Sequence, residues 1–244
     1  MGILSGLFEK KFCDFCGEKL GVFGHTTLKD GYICKKCASQ ISHWWSIGKT
    51  TSVADIHEHL MYRKENLPKV EAFRVTRSLG DSCKVLFDDD ARKIMITSSS
   101  DLTKANQDVF DFDDVTSARW DVSESKSEIT YKTEKSAFTS YDPKRYTYRY
   151  DFYITVYVKN PYFDTVRFKV NSGYVSIDPY AEGEAKEAAI RATHHQSVYG
   201  YGIKPPTHAA NEYVDKYTPD TEGNEDYQAY KALCEEIVGA LCNK

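Results

Sequence analysis

Two hydrophobic periods divide the chain. Up to about residue 70, apolar positions cluster around cysteines or recur at helical spacing; beyond it they alternate with polar ones. In the first region, "TSVADIHEHLMYRKENLP" puts Val53, Ile56 and Leu60 on one stripe. Ser52 is a good N-cap, Asp55 three residues on makes an imperfect capping box, and Asn66 with Pro68 marks a stop. The pattern predicts a helix of about four turns. In the second region, "AFRVTRSL", "CKVLFDD", "KIMITSS", "VTSARWDV" and "SEITYKT" read as short strands between polar turns, with a hairpin turn at "FDDDARK". The longest strand is "RYTYRYDFYITVYVK". Its even positions, Tyr146 through Val158, are aromatic or aliphatic, and its odd positions, Arg145 through Lys159, are largely polar. Such alternation suits the wall of a sandwich or barrel. "NPYFD" turns the chain into a partner strand, "TVRFKVNS".

The alternation breaks after residue 170. "EGEAKEAAIRATHHQSVYG" favours a helix with a weak alanine face, and "YGIKPPTHAANEY" is loop-like. A helical insertion at about 175–220 is expected. The chain then returns to a strong stripe of Tyr227, Tyr230, Cys234, Ile237 and Leu241. With Asn224 as cap and Glu225 and Asp226 in the first turn, a helix over 224–242 is predicted. This gives an α+β chain in three parts: a cysteine module over 1–48, a linking helix over 49–69, and a β domain over 70–244 closed by the terminal helix.

Charge and length change this picture in one respect. The 244 residues carry a net charge of −4, whereas a dedicated nucleic-acid binder has a basic surplus. No window approaches the 18 apolar residues of a membrane span. "MGILSGLFEKKF" lacks the basic start and cleavage site of a signal peptide, and Gly6 stands where a myristoylation signal needs Ser or Thr. A cytoplasmic location is expected. Ile3, Leu4, Leu7 and Phe8 fall at helical spacing, so residues 1–12 form an amphipathic lead-in that packs on the protein or, as the alternative, rests on a membrane surface.

The candidate chemistry lies in four of the seven cysteines. "KFCDFCGEKLG" supplies Cys13 and Cys16; "ICKKC", after a 17-residue gap, supplies Cys34 and Cys37. Each CxxC turn aims two thiolates at one point, and two such turns complete a tetrahedral shell around Zn2+. Gly17 lets the chain turn tightly behind Cys16, and Phe12, Phe15 and Ile33 are candidates to cover the site. The alternatives are two disulfides or a redox pair. Neither CxxC heads a helix in a βαβ unit, which argues against the redox pair. Four thiolates leave no open position for water, so one structural zinc per chain is expected. Lys29, Lys35 and Lys36 form a small basic spot with Tyr32 and Trp44 nearby, read as solvated surface.

Other motifs carry less. His57 and His59 are two apart on the predicted helix and diverge, as do adjacent His194 and His195, so all four are expected at the surface. The acidic runs at 88–90 and 111–114 fit turns and not a calcium loop. No nucleophile elbow, P-loop, dinucleotide fingerprint or HExxH is present, and no catalytic residue is expected.

"MGILSGLFEKKFCDFCGEKLG" with "KDGYICKKCA" resembles the start of a group of bacterial proteins, mostly from Firmicutes, that carry an N-terminal four-cysteine domain of unknown function. The likeness continues through "RKENLPKVEAFRVTRSLG", "DVFDFDDVTSARWDV" and "YDPKRYTYRYDFYITVYVKNPYFDTVRFKVNS". It implies that Cys13, Cys16, Cys34 and Cys37 are zinc ligands of a zinc-ribbon or treble-clef module. It also implies that the rest is a pleckstrin-homology-like (PH-like) β-sandwich or barrel with a C-terminal helix. A non-enzymatic binding or adaptor protein with a protein partner is the expected function, and the polar face with Arg149, Tyr153 and Tyr157 its candidate surface. Nucleic-acid binding through the cysteine module and membrane association through residues 1–12 are the alternatives.

Overall fold

The structure, a computed structural model, describes residues 11–21, 23–132, 137–179 and 218–243. The lead-in of residues 1–10, the insertion over 180–217 and both His194 and His195 lie outside the described residues. The chain divides into two compact units, one within Met1–Arg119, Thr155–Phe168 and Ile237–Lys244, the other within Trp120–Ile154 and Lys169–Glu236.

The first unit begins with an antiparallel ribbon, β1 (His25–Thr27) and β2 (Tyr32–Cys34), followed by the single-turn helix α1 (Lys35–Ala38) and the long helix α2 (Val53–Ala72). Ser52 and Asp55 form a complete capping box: the Asp55 N–H donates to the Ser52 hydroxyl at 3.1 Å, and the Ser52 N–H to the Asp55 carboxylate at 2.8 Å. The expected stop at Asn66 and Pro68 is not one. Pro68 removes a backbone donor and crowds the preceding turn, yet the helix continues to Ala72 because it is tied on both sides. Asn66 is buried, and its amide donates to the Gln107 carbonyl and the Asn106 side chain while its oxygen accepts from the Val109 N–H. One turn later, Val70 is buried against Leu86, Met95 and Val109.

These contacts place α2 on a four-stranded antiparallel sheet of order β3 (Arg77–Gly80), β4 (Lys84–Asp88), β5 (Lys93–Thr97) and β6 (Val109–Asp111), with the short helix α3 (Leu102–Ala105) before β6. The register pairs Leu86 with Met95 and Phe87 with Ile94. Both faces of β4 and β5 are buried, which is why these strands read as continuous apolar runs. The hairpin at 88–93 forms as predicted: Asp88 accepts from the Arg74 and Ala91 N–H groups. The run 111–114, read as a turn, starts on the last residue of β6 and continues as a 3-10 turn at Phe112–Asp114.

A long hairpin follows, β7 (Val115–Lys132) and β8 (Phe138–Val158), contributing residues to both units. β7 joins the two strands expected around a turn at residues 123–126; its polar residues there are exposed strand positions. On β8, Tyr150, Phe152, Ile154, Val156 and Val158 of the predicted face are buried, while Tyr146 and Tyr148 are half-buried and Arg145 and Thr155 of the expected polar face are buried too. β9 (Thr165–Lys169) and β10 (Val175–Ile177) both pair with β8. The start of the expected helical insertion is thus strand β10. Helix α4 (Glu225–Cys242) ends the chain; Asn224 accepts from the Tyr227 N–H at 2.9 Å, and Cys234, Ile237 and Leu241 are buried. In the second unit, the rings of Tyr150 and Phe152 meet Tyr227 edge-on at 5.1 and 5.0 Å.

Candidate metal centre

Each predicted thiol reaches the site by a separate piece of local structure. Cys13 and Cys16 sit on a knuckle that reverses at Gly17, whose φ of 70° belongs to the left-handed region glycine adopts without strain. The Gly17 N–H donates to the Cys13 carbonyl at 2.8 Å. Cys34 ends β2 and caps α1: its sulfur accepts from the Cys37 N–H at 3.4 Å. Cys37 follows within α1. The two halves are stitched together where the Cys34 N–H points at the Cys13 sulfur, 3.3 Å away, and where the Tyr32 N–H donates to Asp14 at 2.6 Å. A Cβ at Gly31 in that turn would lie 2.4 Å from the Asp14 carboxylate and 2.7 Å from Val53, so a side chain there would have to displace both.

The four sulfurs lie within 4.8 Å of one another, and those of Cys16 and Cys34 are 3.8 Å apart. A tetrahedral ZnS4 site with bonds of about 2.3 Å has edges of about 3.8 Å. The donor set therefore fits a metal ion such as zinc, with shifts of at most about 1 Å for the remaining pairs. None of the seven cysteines is bonded to another in this structure. Among the described residues no second group of three or more His, Cys, Asp or Glu side chains converges in this way.

Electrostatics support the same reading. Burial opposes ionisation of Cys13, but N–H groups of Cys34, Phe15 and Cys16 outweigh it and hold the thiol down at about 7. Burial pushes the Cys37 thiol far up, and its three cysteine neighbours add to the rise. Four crowded sulfurs resist carrying four negative charges, and a divalent cation among them relieves that conflict. Cys13, Cys34 and Cys37 are buried with Leu28, Ile33, Ile41 and Ile56, so the first turns of α2 are part of the cysteine module's core. Ile33 and the partly buried Phe15 cover the site as expected; Phe12, half exposed, does not.

Residues 11–59 match the model of a domain of unknown function (DUF4428). The match takes in all four cysteines and ends in α2 just beyond Ile56, the helix residue buried in the module's core. No curated protein and no solved structure matches the chain.

The other expected surface residues fall in different places. Lys29, Lys35 and Lys36 are exposed, with Tyr32 and Trp44 half-buried. Arg149 lies over the Tyr174 ring at 4.5 Å, and Arg119 lies 5.7 Å from the Tyr157 ring centroid. His57 is exposed against Phe15.

His59 is not at the surface. It is fully buried against Trp45, Tyr162 and Tyr62, at ring separations of 4.6, 4.5 and 5.5 Å. Burial, with Arg63 adding, holds its imidazole down at about 4. Beside it runs a network with no signature in the sequence. Asp108 is 1% exposed and accepts from Arg63 at 2.7 Å, Ser42 at 2.6 Å and Tyr62 at 3.2 Å. Arg63 also donates to the Asn106 carbonyl, and Asn160 donates to the Tyr62 hydroxyl. Asp108 thereby joins α2, the loop after the cysteines and the start of β6. Its only mark in the sequence is a polar residue before the apolar pair Val109 and Phe110. No helix among the described residues is long and apolar enough to cross a membrane.

Proposed function

We propose that this chain is a non-enzymatic, cytoplasmic binding protein whose N-terminal knuckle is held by one structural zinc on Cys13, Cys16, Cys34 and Cys37. The convergence of four thiols on one point carries this reading. A four-thiolate shell has no open position for water or substrate, so the metal supplies folding energy and no chemistry. A PH-like arrangement for the remainder is supported by chain order: a four-stranded antiparallel meander, a second antiparallel sheet of β7 to β10, and a terminal helix. Domains of that kind present loops and edges to partner proteins, and Arg149 with Tyr153 marks one such surface. Purification of the tagged chain after cross-linking in its native cells tests the reading. A stoichiometric protein partner is the expected result, and recovery of the chain alone overturns it.

A second reading, nucleic-acid binding through the knuckle, is favoured by exposed Lys29, Lys35 and Lys36 together with Phe23, which is 91% exposed. Exposed rings among lysines suit stacking on single strands. It requires a salt-dependent mobility shift that neutralising the three lysines abolishes.

A further inference from the structure

Among the described residues, one face of α2 is left uncovered. The buried stripe of the helix is Ile56, His59, Arg63, Asn66 and Val70. Beside it Leu60, Met61 and Leu67 form the floor of an open groove of about 810 Å³ between the turn after α1 and helix α3. Met61 is 56% exposed there. From Leu60 to Leu67 the floor runs two turns of helix, about 10 Å. Lys64 and Lys104 line the groove and both are exposed; among the described residues, Glu58 is its single acidic lining residue. Arg63, also at the groove, is already paired with Asp108. The groove is thus apolar along its floor and cationic along its sides, in a chain of net charge −4.

We infer that this groove takes a short amphipathic helix from a protein partner, with leucine-type anchors facing Leu60, Met61 and Leu67 and carboxylates facing Lys64 and Lys104. This rests on the protein-binding reading above and names its surface. The shape of the groove selects a helix. Its walls are helices and a turn, and no strand edge borders it among the described residues. An extended segment laid there would find no strand edge to pair with, whereas a helix pairs its amide and carbonyl groups internally. The lysines select the charge, since an acidic flank gains from both while a basic one is repelled. The concave apolar floor is unsuited to a phosphate backbone, which needs cations along its track.

The methionines give a direct readout, because the sequence has three: Met1, Met61 and Met95. Met95 is fully buried in the sheet and serves as internal reference. A displayed library of helix-forming 15-residue peptides is selected against the full chain, and the winners are added to protein carrying 13C-methyl methionine. Enrichment of peptides with leucines at helical spacing and flanking glutamates is expected. The Met61 methyl resonance should shift while Met95 stays, and K64E/K104E should weaken binding about tenfold, as loss and reversal of two exposed ion pairs implies. An M61E variant, exposed and therefore tolerated by the fold, should abolish it. Selected peptides that leave Met61 unmoved, or that bind K64E/K104E equally well, overturn the groove and leave the broader partner-binding reading standing. A library that yields no binder also overturns the groove, while the cross-linking experiment decides the broader reading separately.

Discussion

Removing the Asp108 carboxylate should be the most damaging single change outside the cysteines. Asp108→Ala leaves the Arg63 guanidinium, 8% exposed, without its charged partner at 2.7 Å. It also deprives the Ser42 and Tyr62 hydroxyls of their acceptor. Stripping one member from a buried ion pair costs about 3–5 kcal/mol, because the remaining charge is neither solvated nor neutralised. The whole stability of a domain is about 5–15 kcal/mol, so the loss is a large share of it. Urea denaturation followed by tryptophan fluorescence reads the change, Trp45 packing on His59 next to the network. The pair also predicts a particular non-additivity. Arg63→Met with Asp108→Ala should cost clearly less than the sum of the singles, since each single strands a buried charge and the double variant strands none. An Asp108→Ala cost below about 1 kcal/mol, or strict additivity in the double variant, refutes the claim that this network holds α2 to the loop before it and to β6.

Three further expectations follow from the same geometry. His59 titrates at about 4 in the fold against 6.5 ordinarily, so the unfolded chain binds more protons between those values; stability should fall as pH drops from about 6.5 to about 4, by at most about 3 kcal/mol, and His59→Phe should flatten that part of a pH series of urea midpoints. Ser52→Ala breaks the capping box and should cost about 1 kcal/mol, with a thermal midpoint unchanged from wild type counting against the cap. Burial pushes the Cys234 thiol up to about 12 and the Cys83 thiol up to about 11, so iodoacetamide should label exposed Cys242 well before either, and chelation should add the four knuckle thiols to the labelled set; mass spectrometry of labelled peptides decides both.

The parts of the fold legible in the sequence are those that local chemistry writes. Paired CxxC turns, the Ser52–Asp55 cap, the alternation along β8 and the stripe of α4 each need only neighbouring residues to be recognised. The parts that were not legible depend on distant partners. Asn66 and Pro68 spell a helix end, but contacts from 106–109, some forty residues on, carry α2 past them. The polar stretch at residues 123–126 spells a turn, yet pairing with β8 holds it in one strand. β6 and β10 are three residues each, too short to show a period. His59 lies in the polar string "HEH", and nothing nearby announces that Trp45 and Tyr162 close over it. The metal site was therefore readable residue by residue, while the network that mounts it on the rest of its unit was not.

The central claim is that four sulfurs from the knuckle and α1 hold one structural zinc. Metal analysis by inductively coupled plasma mass spectrometry on the purified full chain tests it directly. One zinc per chain is predicted, falling toward zero with loss of folded knuckle signals when Cys13 and Cys37 are replaced by serine. A ratio far below one in the wild-type protein, or a ratio unchanged by those substitutions, contradicts it.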